Sequence, residues 1–177
     1  MIFKVTPENS DSRTLIQPDW KREKKAFFEW LPSRSLLASI RAYQRYCGKR
    51  SLSANLLKKC AVLRHRFWSI VTGADIPLNC NIGGGLLIPH PNGIVIHPEA
   101  KIGVNCLILQ QVTIGVIDAN GPPSLGDHVD CGAGSKILGR ITIGSNVLIG
   151  ANAVVLKDIC SHSTAVGIPA KVTRCKL

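Results

Sequence analysis

No stretch of this 177-residue chain is apolar for long enough to cross a bilayer, which needs roughly 18–20 residues. A membrane span is therefore not expected. The start, MIFKVTPENSD, has Pro, Glu and Asp where an export signal needs an apolar core, so the expected location is the cytoplasm. Seven cysteines stand at 47, 60, 80, 106, 131, 160 and 175 with no CxxC pair. This dispersed, odd set argues against a disulfide framework or zinc cage and reads as free thiols in a reducing compartment. No nucleic-acid motif is present, so a nucleic-acid partner is not expected. Acid is scarce as well: 22 Lys+Arg against 11 Asp+Glu give a net charge of +11. The imbalance is local, since residues 1–70 hold 15 basic and 5 acidic side chains and the remainder 7 and 6. Residues 19–71 could contact an anionic membrane, or form a solvated helical surface.

The chain does have aliphatic residues spaced six apart. Ile76, Ile82, Ile88 and Ile94 begin the series. After a two-residue slip, Ile96, Ile102, Ile108 and Ile114 continue it, and Leu125, Cys131, Ile137, Ile143, Ile149 and Val155 complete it. Six is a multiple of the strand period and of no helix period, so these side chains share one side of an extended chain. Short strands that turn a corner every six residues, three hexads to a coil, give a mainly β protein, a parallel β-helix with an internal aliphatic ladder. Glycine often follows the aliphatic residue (Gly83, Gly103, Gly126, Gly132, Gly144 and Gly150 among them), which suggests corners of unusual φ. A small or β-branched residue tends to lie four after it, as at Ala100, Cys106, Val112, Val129, Ser135, Val147 and Ala153.

Three segments follow: a basic helical part over 1–71, the β-helix over 72–160, and a C-terminal tail over 161–177. Residues 1–18 read as irregular. Helices are predicted from Asp19 to Leu31, from Ser33 or Ser35 to Gly48, and from about Ser53 to Val71 with Gly73 beyond its end. Leu56, Leu57, Cys60, Leu63, Phe67 and Ile70 of the third are expected to face inward. Arg41, Arg45, Lys58, Lys59, Arg64 and Arg66 are expected to fall largely on outer faces. The hexads break twice, at His90-Pro91-Asn92-Gly93 and over 116–124 (VIDANGPPS). A strict solenoid absorbs insertions as loops thrown outward, and loops on a rigid scaffold commonly carry function.

Residues 72–115, TGADIPLNCNIGGGLLIPHPNGIVIHPEAKIGVNCLILQQVTIG, and the closing VGIPAKV resemble the serine acetyltransferase branch of the hexapeptide-repeat acyltransferases. The likeness includes the branch's short relatives associated with polysaccharide genes. It covers about residues 72–174 and implies a left-handed β-helix using acetyl-CoA, assembled as a homotrimer and needing no metal. The family's general base matches His90, and the aspartate that orients it, fifteen residues earlier, matches Asp75. An imidazole with a near-neutral pKa suits removal of a hydroxyl proton, and a carboxylate on its other nitrogen would fix the tautomer. The family's pantetheine-binding backbone would correspond to Gly115, Ala133, Gly134 and Ala151, with amides near Gly115 as oxyanion donors. Lys136, Lys157, Lys171 and Arg174 are candidate phosphate contacts, and loop 116–124 is expected to cover the thioester.

His97 and His128 read as corner or turn residues and His162 as part of the exit from the coil. With His90, His97 and His128 make only a conceivable zinc set. Two departures bear on the acceptor: Pro89 and Pro122 stand where the family carries Asp and His. The N-terminal third also resembles only the last part of the family's helical domain. These differences favour a saccharide hydroxyl as acceptor, with serine as the alternative. A non-catalytic scaffold that docks through its basic helices is the rival from another class.

Overall fold

The computed structural model describes residues 17–26 and 29–175, with side chains through residue 173. After a single 3₁₀ turn at Trp20–Arg22 come α1 (Pro32–Tyr46) and α2 (Leu52–Thr72). The strands are β1 (Asn81–Ile82), β2 (Val95–Ile96), β3 (Lys101–Ile102), β4 (Leu107–Ile108), β5 (Thr113–Gly115), β6 (Ser124–Leu125) and β7 (Asp130–Cys131). They continue as β8 (Lys136–Leu138), β9 (Thr142–Ile143), β10 (Leu148–Ile149), β11 (Val154–Val155), β12 (Ser163–Gly167) and β13 (Ala170–Cys175).

Parallel pairing sorts the strands into three faces of a prism. The first holds β1, β3, β6 and β9; the second β4, β7, β10 and β12, extended by β13; the third β2, β5, β8 and β11. Register stacks like on like. Ile96, Ile114, Ile137 and Val155 align on the third face, and Ile108, Cys131 and Ile149 on the second. All fourteen ladder positions are buried, none more than 6% exposed. The seven small residues four further on are buried too, at 0–1% exposure. Each ladder side chain removed from water contributes on the order of 1.5–3 kcal/mol, so the repeat itself supplies the core.

The glycines that follow the ladder residues act otherwise than expected. Gly83, Gly103, Gly126, Gly132, Gly144 and Gly150 are absent from the residues with positive φ, where corners instead use Asn105, Gln111, His128, Asn146, Asn152 and His162 beside Gly85, Gly93 and Gly134. The glycines are needed because the coils approach so closely. A Cβ on Gly132 would lie 2.6 Å from the amide nitrogen of Ala151 on the next coil.

α1 begins with Pro32, whose fixed φ suits a first turn, and buries Leu36, Leu37 and Ile40. α2 ends at Gly73, with φ +63°. The helix expected over 19–31 does not form; Phe27 and Phe28 of that stretch lie outside the described residues. Asp19 caps only the 3₁₀ turn, accepting from the amide of Lys21. The segment instead lies strapped across the early coils. Asn105 donates to the Gln17 carbonyl and accepts from the Asp19 amide, while Glu23 accepts from the amide of Leu86 and pairs with Arg41 at 2.9 Å. Arg41, expected on an outer face, therefore points inward and also donates to the carbonyls of Ile82 and Gly83.

The stripe on α2 is likewise reversed. The helix buries Ala54, Ala61 and Thr72, while Leu56, Leu57, Cys60, Leu63, Phe67 and Ile70 are exposed. Beyond the coils the C-terminal segment forms an antiparallel hairpin, β12–β13.

The two kinds of glycine predict different outcomes in denaturant unfolding. Gly132→Ala should destabilise by about 1–3 kcal/mol, the usual range for overpacking. Gly115→Ala should stay within about 0.5 kcal/mol, since the nearest atom to its Cβ would lie 3.7 Å away. Equal effects at the two positions would contradict this account of the coil spacing.

Candidate active site

His90 occupies the corner between the second and third faces. Leu87 before it pairs with Leu107, and Val95 after it opens the third face. Lower coils stack beneath this corner through one column of backbone bonds. The Gln111 amide donates to the Asn92 carbonyl at 2.9 Å, Gly134 to Gln110 at 2.8 Å, and Asn152 to Ala133 at 2.8 Å. The result is an exposed imidazole at the head of an edge that runs through Gln110 and Gln111 on the coil beneath it and then Ala133, Gly134 and Ala151 on the two coils after that. Small residues let a long ligand approach the backbone there. Lys136 lies on the adjoining face with its Nζ on the Gln111 carbonyl at 2.6 Å.

Asp75 heads the third face, pairing with Val95. Its amide donates to the carbonyl of Ile94 and its carbonyl accepts from Ile96. Both Asp75 and His90 are exposed, and among the described residues no hydrogen bond joins their side chains. The strand bridge sets Asp75 beside Val95, five residues past His90, and His90 lies in the corner just before that strand. Asp75 has one visible electrostatic effect: after burial, its charge is the second cause pushing the Cys80 thiol up to about 12.

The remaining candidates divide by position. Gly115 ends β5 at the far edge of the third face, Lys157 lies two residues past β11, and Lys171 is exposed on the closing hairpin. The side chain of Arg174 lies outside the described residues. Loop 116–124 joins β5 to β6, so it springs from the corner between the third and first faces, not from the corner of His90. It is tied down where Gly139 donates to Gly115 and Ser124 to Ile141, both at 2.9 Å. Asn120 braces it from within through two bonds to Asp118. Two open grooves of about 400 and 410 Å³ flank the loop. One is lined by Lys101, Pro122, Ser124 and Thr142, the other by Ile117, Asp118, Leu138 and Leu156; Arg140 and Asn120 line both. Arg140 was missed in the sequence. Its signal was positional, because it sits one coil below the insertion at the corner the insertion leaves.

The other histidines take up local roles. His97 Nδ1 accepts from the Glu99 amide at 3.2 Å, and His128 and His162 sit at corners with φ of 53° and 58°. Among the described residues no three of His, Cys, Asp and Glu gather closely enough to hold a metal ion. Burial pushes the Cys106 thiol up to about 11 and raises that of Cys131 further.

No family model matches the chain. A serine acetyltransferase of Staphylococcus xylosus is 40% identical over 136 residues, covering 75% of this chain and 60% of that protein. A soybean serine acetyltransferase apoenzyme aligns with TM-score 0.60 and 31% identity, covering 78% of this chain and 69% of that one. A serine acetyltransferase solved in complex with CoA aligns at TM-score 0.67 and 32% identity, with 81% and 57% covered. The architecture is thus the left-handed parallel β-helix of hexapeptide repeats. The chain belongs to the serine acetyltransferase family. It spans about three fifths of the length of the staphylococcal relative. None of these three relatives carries a name that points to polysaccharide chemistry, so the expected polysaccharide-associated branch finds no support in them.

Thiol chemistry checks the buried interior. A raised pKa keeps a thiol protonated, and the thiolate is the reactive form. At about pH 8, iodoacetamide should alkylate exposed Cys47 and Cys60 while sparing Cys80, Cys106 and Cys131 until the chain is denatured. Peptide mapping that finds Cys106 labelled as fast as Cys47 would contradict the packing.

Proposed function

We propose that this chain is an acetyl-CoA-dependent O-acetyltransferase that acetylates the hydroxyl of serine, with His90 as general base. The observation that carries the reading is the edge beneath His90: an exposed imidazole whose edge, past Gln110 and Gln111, continues in the small residues Ala133, Gly134 and Ala151. The acceptor oxygen bonds to the thioester carbonyl carbon as His90 Nε2 or Nδ1 takes the hydroxyl proton. The tetrahedral intermediate then breaks its C–S bond, and the imidazolium returns the proton to the departing CoA sulfur. Asp75 is the proposed positioning partner. Pantetheine would run along Ala133, Gly134 and Ala151, with Lys136, Lys157, Lys171 and Arg174 available to its phosphates. The relative solved with CoA supports this co-substrate, and a cytoplasmic location suits it.

A single chain has the parts of this site at two corners. His90 opens the third face, while Gly115 and loop 116–124 close it. If all serve one reaction, the His90 edge of one copy must meet the loop of its neighbour, and closed threefold symmetry makes three equal sites. We therefore include a homotrimer in the proposal.

Serine is placed ahead of a saccharide because the relatives are named for serine. The saccharide hydroxyl stands as the second reading, favoured by one feature: Pro89 and Pro122 offer no hydrogen-bond donor, and Pro122 lines a groove under the loop.

CoA release can be followed with L-serine and with a panel of saccharides. With serine as the true acceptor, kcat/KM should exceed about 10⁴ M⁻¹s⁻¹, and His90→Ala should lower kcat at least about a hundredfold while acetyl-CoA still binds. Activity of His90→Ala within about threefold of wild type would end the assignment of the base. A saccharide outrunning serine would reverse the order of acceptors.

A further inference from the structure

We propose that the outward stripe of α2, with its bordering cations, seats this chain on an anionic lipid surface, the helix lying in the plane of the headgroups. The inference goes beyond the acetyl-transfer reading and is read out independently of it. The inner side of α2 is fully engaged. Ala54, Ala61 and Thr72 are buried, Trp68 packs on the core, and His65 Nε2 meets the Ile76 carbonyl at 2.8 Å. Among the described residues the outer side is left exposed. Leu56, Cys60, Leu63, Phe67 and Ile70 follow at alternating intervals of four and three, which align them along one face. Leu63 is 66% exposed and Ile70 84%. A continuous apolar stripe of this kind on a soluble surface marks a contact site.

Charge chooses the occupant. Lys59 and Arg66 border the stripe on one side and Arg64 on the other. Between Glu29 and Asp75 the chain has nine Lys and Arg and no acidic residue. A second α2 laid against the first would face cation with cation, the reverse of a seam that pairs with itself. The occupant must therefore be apolar in the middle and anionic at the rim. An anionic bilayer is both, and a helix with an apolar face between basic flanks is the form that lies on one. No helix among the described residues is long and apolar enough to cross a membrane, so the contact is peripheral.

The test is co-sedimentation of the full chain with vesicles of phosphatidylglycerol and phosphatidylcholine in equal parts, against phosphatidylcholine alone. The chain should partition onto the anionic vesicles and come off as salt is raised. Replacing Lys59 and Arg66 together by Ser should weaken partition by about thirtyfold. Leu63→Ser with Ile70→Ser should weaken it by at least about tenfold. All four side chains are exposed, so both variants should keep the wild-type circular dichroism spectrum. Three results would each overturn the inference: no partition onto anionic vesicles, equal partition onto neutral ones, or a folded double variant that binds as wild type does. So would a disulfide between Cys60 of two copies that forms readily in solution, because a second copy would then occupy the stripe.

Discussion

Everything in the β-helix depends on one constraint: an aliphatic side chain from each hexad must stack directly on its counterpart in the next coil. Ile114 on Ile96, Ile137 on Ile114 and Val155 on Ile137 form one such column. Holding that register brings the backbones so close at several corners that the residue following the ladder cannot carry a Cβ, as at Gly132 against Ala151. The same constraint forbids insertions inward. Extra residues therefore leave at the corners, and the corners are where His90 and loop 116–124 lie.

This explains how much could be read from the sequence. Periodicity of six is a backbone property, so the ladder, the coils and both interruptions were visible without coordinates. The role of the glycines was not, because their requirement comes from the neighbouring coil sixteen or more residues away and not from their own φ. The helices show the limit more sharply. A stripe such as Leu56, Cys60, Leu63, Phe67 and Ile70 announces an apolar face but not which way it points, and small Ala54 and Ala61 took the inner side. The helix expected from Asp19 failed for a similar reason. Asn105, Leu86 and Arg41 offer the segment hydrogen bonds far along the chain that outweigh its local helix preference.

The site shows the same division. His90 and the small residues of its edge follow from motif and spacing, and the coil geometry gathers them. Asp75 is held by its bridge to Val95, and Arg140 was overlooked because it contributes only through the loop above it. Both outcomes come from strand pairing, which a linear spacing does not encode. The N-terminal strap has a clear structural job as well. Through Glu23, Arg41 and Asn105 it fixes α1 against the first coils.

The central claim is that the His90 edge of one copy works with loop 116–124 of the next, and subunit complementation tests it directly. His90→Ala and a variant lacking residues 117–121, each inactive alone, would be unfolded together and refolded as a mixture. Random threefold assembly should then restore about a quarter of wild-type CoA release, because a site is whole when an intact histidine meets an intact loop. A mixture no more active than either variant alone would contradict the account.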